Sequence, residues 1–461
     1  MSKKMAIALG LTAALLAGCS AGPQAEPQGK TTLKVMYYSE DSFYYQYGML
    51  FSALYPDVEL EIVSANLVKP EEGETINDAT AKFIRERKPD VLMLSASQYK
   101  QWASEGKLLD LEARAAQDKF DLAGIVPGIL EYIRGLSDGK LYGMAPSFYS
   151  RAVYYNKDLF EKYGVPLPED RMSWESLLQL ASRFPADGEP NERVYGLKPD
   201  YTSDLNNLSR QIGGSLGLSY FNVSGMRMTA NSDSWIKAVE TADKAIKGGY
   251  LYLGEDQTNQ MYTSYEEYLL QDPFIGGRTA MTIDGSYLTA QIKEAQEVLK
   301  DKALKNWDVV TMPVDPKNPN VTDTVSVDQI LAIDAQSPNV DAAWKFLQYV
   351  NGDEFARVKS KANSGSFPVR TKYINDDGHN LQAFYALTPT EETVFKDYDK
   401  MPNEAFTEIM NTIAAELSEA GKGQQTVAEA MNRIQDKGQL ILDGKGKGAE
   451  EAANGAGSSA K

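Results

Sequence analysis

The sequence is poor in groups that do covalent or metal chemistry. It holds one histidine, His379, and one cysteine, Cys19. A zinc centre needs three or four ligands, and a thiol nucleophile needs a base beside it. Neither can be assembled from these two residues. No Gly-x-Ser-x-Gly elbow, phosphate loop or Gly-x-Gly-x-x-Gly after a strand is read along the chain. The 64 acidic residues make chance carboxylate pairs certain, so counting neither marks nor removes a glycosidase pair. Tyrosine is the informative excess, at 26 against 15 Phe and 5 Trp. A tyrosine ring covers the apolar C–H face of a pyranose while its hydroxyl hydrogen-bonds. With Asp, Glu, Asn and Ser around it, that is the chemistry of non-covalent sugar capture. These residues single out no catalytic group, and the expectation is no metal and no cofactor, with sugar capture and sugar cleavage both open at this point.

The elements that would position such groups begin after a targeting segment. Lys3 and Lys4 precede an apolar run over 5–16, too short to span a bilayer and suited to a signal peptide. It ends in Leu16-Ala17-Gly18-Cys19-Ser20, which resembles a bacterial lipoprotein signal over 1–18 with Cys19 as the acylated first mature residue. As the only cysteine, Cys19 leaves no internal disulfide, so stability must come from core packing. Residues 19–30 form a Pro/Gln/Gly linker. The net charge of −17, with no basic stripe, argues against nucleic acid or an anionic lipid surface as partner. A strand over 33–38, a helix over 43–54 and a strand over 58–63 make a βαβ opening and hence a parallel sheet. Residues 89–94 add a third strand. Ligands in such sheets bind at the carboxyl ends of strands, and two of those ends are polar. They offer Tyr38, Ser39 and Glu40 at one, and Ser97 and Gln98 at the other. Ser97 also suits a helix N-cap.

The stretch Asp138-Gly139-Lys140-Leu141-Tyr142-Gly143-Met144-Ala145-Pro146 predicts a turn and a strand that ends at the proline. Ser147-Phe148-Tyr149-Ser150 leads into a second strand over 152–155, and Asn156 caps a helix over 157–163 that Gly164 stops. Two strands in line with a kink between them can carry the chain from one α/β lobe to another, or form a bent hairpin within one domain. Gly-x-x-Tyr-Gly, the aromatic run and Tyr154-Tyr155-Asn156-Lys157-Asp158-Leu159-Phe160 resemble the inter-lobe crossover of extracellular solute-binding proteins of ABC importers. The sugar-binding group that includes the maltose-binding protein is the nearest in pattern. Leu108-Leu109-Asp110-Leu111, the run from Gly276 to Tyr287, the Ser337-Pro338 helix start and Ser364-Gly365-Ser366-Phe367-Pro368 match that group in chain order.

The resemblance implies an α/β, type II periplasmic-binding-protein-like fold: two α/β lobes with a ligand cleft and a hinge. It places 31–145 with 323–372 in the first lobe and 146–322 with 373–443 in the second. The tail over 444–461, rich in Gly, Ala, Lys and Ser, is expected to be disordered. It implies ligand contacts from Phe148 and Tyr149 on the crossover, and from Asp284 and Tyr287 at a strand end where relatives place a stacking aromatic. Near the returning strand the family's glycines are missing, and Ser326, Asp328 or Gln329 could offer side chains instead. Phe406 would add a wall just before a helix over 408–417. The function implied is that of a monomeric, lipid-anchored protein on the extracellular face of a bacterial membrane. It would capture a mono- or oligosaccharide and deliver it to the permease subunits of an ABC importer. The alternatives are an extracellular carbohydrate-active enzyme and a sensor lipoprotein that does not transport.

Overall fold

The computed structural model describes residues 30–71, 74–189, 193–199, 204–254, 263–327, 329–361 and 365–444. The targeting segment, Cys19, most of the linker, Asp328 and residues 445–461 lie outside the described residues.

In chain order the strands are β1 (Thr31–Tyr37), β2 (Val58–Ser64), β3 (Val91–Leu94), β4 (Gly143–Met144), β5 (Ser147–Phe148), β6 (Arg151–Asn156) and β7 (Tyr195–Lys198). They continue with β8 (Phe221–Asn222), β9 (Arg227–Met228), β10 (Thr279–Gly285), β11 (Trp307–Val310), β12 (Val321–Thr322), β13 (Ile330–Ile333), β14 (Phe367–Pro368) and β15 (Thr388–Pro389). Two sheets carry the fold, ordered β2-β1-β3-β13-β4 and β11-β6-β10-β7.

In the first sheet β1, β2 and β3 are parallel, and β13 returns antiparallel between β3 and β4. All four residues of β3 are buried, as expected for a strand covered on both faces. The buried Asp90 before it is satisfied: its carboxylate accepts from the Lys34 backbone N–H at 2.8 Å and from the Ser337 hydroxyl at 2.6 Å. In the second sheet β6 runs antiparallel to β10 and β11, and β7 parallel to β10. The predicted helix start at Asn156 is present: its side chain accepts from the N–H groups of Asp158 and Leu159, and Gly164 closes the helix at φ 62°.

Three segments that link the sheets lie side by side. Tyr149 and Ser326 exchange two backbone hydrogen bonds of 2.9 Å, and β5 pairs with β14 through Phe148 and Phe367. Buried apolar residues form two clusters, one around the first sheet and one around the second. Phe148 of a linking segment, Tyr154 and Trp307 of the second sheet, and Phe384 join the first of these, so that cluster runs past residue 145 onto the second sheet as well.

Candidate ligand-binding site

The carboxyl end of the first sheet is an aromatic and hydroxyl-rich edge. Tyr38 follows β1, is 42% exposed, and meets the buried Tyr37 ring edge-on at 5.3 Å. Its backbone is held from β2, where the Ser64 hydroxyl donates to the Tyr38 carbonyl at 2.8 Å. Ser39 caps the helix Glu40–Phe43 in a reciprocal box with Ser42, and Glu40 stands exposed in its first turn. At the end of β3 the cap is Ser95, not Ser97. Ser95 accepts from the Gln98 N–H, and the Gln98 side chain accepts from the Ser95 N–H at 3.0 Å. Gln98 Nε2 also donates to Thr80 at 3.3 Å, so that carboxamide is engaged within the helix start; Ser97 stays exposed beside it.

The opposing edge is built at the end of β10. Asp284 is 3% exposed, and its carboxylate accepts from the Gly285 N–H at 2.7 Å. Burial pushes its carboxyl up, against the pull of the Tyr287 hydroxyl and the Lys198 charge. Lys198 ends β7 on the same edge and pairs with Asp272 at 2.7 Å. The Tyr154 hydroxyl donates to the Gly285 carbonyl at 2.8 Å. The Tyr149 ring covers Gly285 closely enough that a Cβ there would lie 2.8 Å from it. Tyr287 opens the helix Tyr287–Leu299, and Ser286 beside it donates to the Gly365 carbonyl at 2.6 Å, tying this corner to the β14 segment.

The structure thus brings Tyr149, Asp284 and Tyr287 into one group, with Lys198 and Tyr154. Tyr38, Ser39 and Glu40 form a second group on the first edge. Phe148 is not on either edge: its ring is buried against Phe367 and Tyr385. Phe406 lies inside the helix Asn403–Gly421 and packs among Phe221, Phe395 and Tyr398, because the helix begins before it rather than after it. Asp328 lies outside the described residues.

Three groups escaped the sequence reading. Lys198 closes β7, and the carboxyl-end rule applied to that strand flags the lysine. Tyr37 and Tyr47 converge on Gln329, which the sequence had already offered as a contact, donating to its Oε1 at 3.2 and 3.1 Å. Asp323, on the segment after β12, packs against Gly214 and has its carboxyl pushed up to about 6 by burial, with Arg151 pulling it back.

One string needs correction. Gly213-Gly214-Ser215-Leu216-Gly217 does spell Gly-x-Ser-x-Gly. It sits at the C-terminal end of the helix Leu205–Ser215, where the Ser215 hydroxyl donates to the Ile212 carbonyl at 2.8 Å. A nucleophile elbow stands on a strand-to-helix turn with a base in reach, so this string is a helix terminus. Among the described residues no cluster of His, Cys, Asp and Glu is arranged to hold a metal ion, and no helix is long and apolar enough to cross a membrane.

Residues 32–356 match the family model described as bacterial extracellular solute-binding protein. A binding protein of Brucella abortus is 30% identical over 265 residues, covering 55% of this chain and 57% of the relative. The chain therefore matches a little over half the length of that curated relative. A protein of Streptococcus mutans named as a multiple sugar-binding protein is 24% identical over 268 residues, covering 56% and 57%. The solved structure of a sugar-binding protein of Xanthomonas citri superposes with a TM-score of 0.62 at 16% identity, covering 90% of this chain and 98% of that one. That likeness is one of fold.

Proposed function

The chain belongs to the bacterial extracellular solute-binding proteins, and from that membership we propose that it captures a mono- or oligosaccharide outside the cell and delivers it to the permease of an ABC importer. The observation that carries the reading is the pair of carboxyl-end edges. One presents Tyr38 and a hydroxyl-rich turn; the other presents Tyr149 and Tyr287 around the buried Asp284. Rings for C–H faces and a carboxylate for hydroxyls are what a sugar requires. The multiple sugar-binding relative supports the same ligand class.

The lobes in this reading are 31–145 with 323–372 and 146–322 with 373–443. The three linking segments paired at Tyr149–Ser326 and Phe148–Phe367 act as the hinge on which they close. The protein works as a monomer, held at the outer face of the membrane by acyl chains on Cys19, and performs no catalysis.

A thermal-shift screen against a saccharide library tests the capture, because a ligand that binds only the folded state raises its Tm. A dose-dependent rise with at least one saccharide is expected, and no rise across the library contradicts the reading. A reducing-end assay on the same mixtures separates binding from hydrolysis, and release of Cys19→Ala from the membrane fraction tests the anchor. Loss of saccharide uptake on deleting the gene separates import from sensing.

A further inference from the structure

We propose that Gln329 is a specificity residue on the first edge, and that Tyr37 and Tyr47 are positioning residues that hold its carboxamide with the N–H end turned toward a ligand acceptor. The inference rests on the solute-binding reading above. It starts from a three-residue cluster that joins β1, the helix after it and the strand that returns late in the chain. Both phenol groups donate to the same atom, Gln329 Oε1, at 3.2 and 3.1 Å. Both rings are buried, and burial raises both hydroxyls above the ordinary tyrosine value, so they remain donors at neutral pH. A carboxamide has an acceptor end and a donor end. With both hydroxyls donating to Oε1, the oxygen end faces inward, and a flip would deprive both hydroxyl hydrogens of this acceptor. The Nε2 hydrogens are thereby held on the far side.

That far side lies at the candidate site. Gln329 immediately precedes β13, whose first residue pairs with Leu94 at the carboxyl end of β3. Three residues earlier, Ser326 bridges Tyr149 of the opposing group. Gln329 is half-buried, and Tyr38 stacks edge-on against its partner Tyr37. The side chain therefore stands at the carboxyl end of the first sheet, on the segment that pairs with Tyr149.

The way Tyr47 reaches the glutamine points to a selected arrangement. Its helix departs from α geometry in a π turn, Tyr44–Gly48, between the α-helical stretches Glu40–Phe43 and Met49–Leu54. Such single π turns recur at functional sites. Gly48 closes the turn, and a Cβ there would lie 2.7 Å from the Tyr44 ring and 3.0 Å from Phe43. Around it the Tyr47 ring meets Phe43, Phe346 and Phe355, a hydrocarbon setting in which phenylalanine would pack as well. The hydroxyl donates to Gln329 at 3.1 Å and is also hydrogen-bonded with the Tyr37 hydroxyl, so the three polar groups form one cluster. Because the amide's free end offers only donors, the ligand group it reads is an acceptor, which on the saccharide reading above is a hydroxyl or ring oxygen.

The test uses wild type, Gln329→Ala, Gln329→Glu, Tyr47→Phe and the Tyr47→Phe/Gln329→Ala double variant. Without ligand, the side-chain amide pair that vanishes from the 15N spectrum in Gln329→Ala belongs to Gln329. It is expected to shift and exchange faster in Tyr47→Phe; an unmoved pair overturns the clamp. Calorimetry then uses whichever of maltose, maltotriose, trehalose and D-mannitol gives wild type its largest thermal shift. Gln329→Ala is expected to weaken binding by about 10- to 100-fold, and Gln329→Glu as much, since a carboxylate only accepts. Tyr47→Phe should weaken binding about 3- to 10-fold in wild type and not further in Gln329→Ala, a coupling that loss of packing would not produce. Equal affinity in wild type and Gln329→Ala overturns this inference and leaves the solute reading standing. No shift with any of the four compounds overturns both.

Discussion

Replacing Gly285 with alanine sets two opposed effects against each other. Gly285 ends β10 beneath Tyr149, and a Cβ there would lie 2.8 Å from the ring. Non-bonded carbons settle at roughly 3.5–4.0 Å, so the ring must move by about 0.7 Å or more. Overpacking of this kind costs about 1–3 kcal/mol. In the other direction, Gly285 is not among the positive-φ glycines. Alanine at such a position gains about 0.4–1 kcal/mol by restricting the unfolded chain. Gly285→Ala is therefore expected to lose about 0.5–2 kcal/mol net. In a Tyr149→Ala background the obstruction is gone, and the same change is expected to gain up to about 1 kcal/mol. Urea denaturation of the four proteins closes the cycle. A change of sign between the two backgrounds supports the placement of the Tyr149 ring over Gly285. Additivity within about 0.5 kcal/mol refutes it.

Arg370 is 3% exposed, donates to the carbonyls of Asn351 and Asp121 at 2.7 Å each, and pairs with the Asp121 carboxylate at 3.1 Å. Arg370→Ala is expected to cost about 1–3 kcal/mol, read by denaturation, because it strands the carbonyl of the buried Asn351 while the exposed Asp121 carboxylate regains water. Asn156→Ala removes the cap from the helix after β6 and should cost about 1 kcal/mol in the same assay, with a null effect counting against the cap. Asp323 carries a carboxyl that burial pushes up to about 6. Such a group binds its proton more tightly folded than unfolded, so it favours the fold at low pH and disfavours it as pH rises through about 6. Asp323→Asn is accordingly expected to raise Tm at about pH 7.5 and change it little at about pH 4.5, and equal shifts at both would reject the burial.

The parts of the fold that could be read in the sequence are those whose cause is local. Pro146 ends a strand, Asn156 starts a helix and Gly164 stops it, and each acts within a few residues. Tyr38, Ser39 and Glu40 were proposed from the sequence because they sit where a strand ends, which is where α/β sheets bind, whereas Tyr149, Asp284 and Tyr287 came from the family resemblance, and the structure groups those three at the end of β10. What was missed depends on distant chain. The π turn at Tyr44–Gly48 places Tyr47 on Gln329, 282 residues away, and helical periodicity does not announce it. Phe148 and Phe406 are aromatic residues near the right segments, but their partners, Phe367 and Phe221, come from far along the chain and fill core. Choosing Ser95 over Ser97 as the cap turned on the Gln98 side chain three residues on, which completes a reciprocal box only with Ser95.

The central claim is that this chain takes up a carbohydrate between the two edges and returns it unchanged. Calorimetric titration of the purified protein with a saccharide panel, followed by chromatography of the recovered sugar, measures both halves of it. One-to-one binding of at least one saccharide at about micromolar Kd or tighter, weakened in Tyr149→Ala and Tyr287→Ala with the sugar recovered intact, is the predicted result. Heat-silent titrations across the panel, or a bound sugar recovered as hydrolysis products over multiple turnovers, would contradict it.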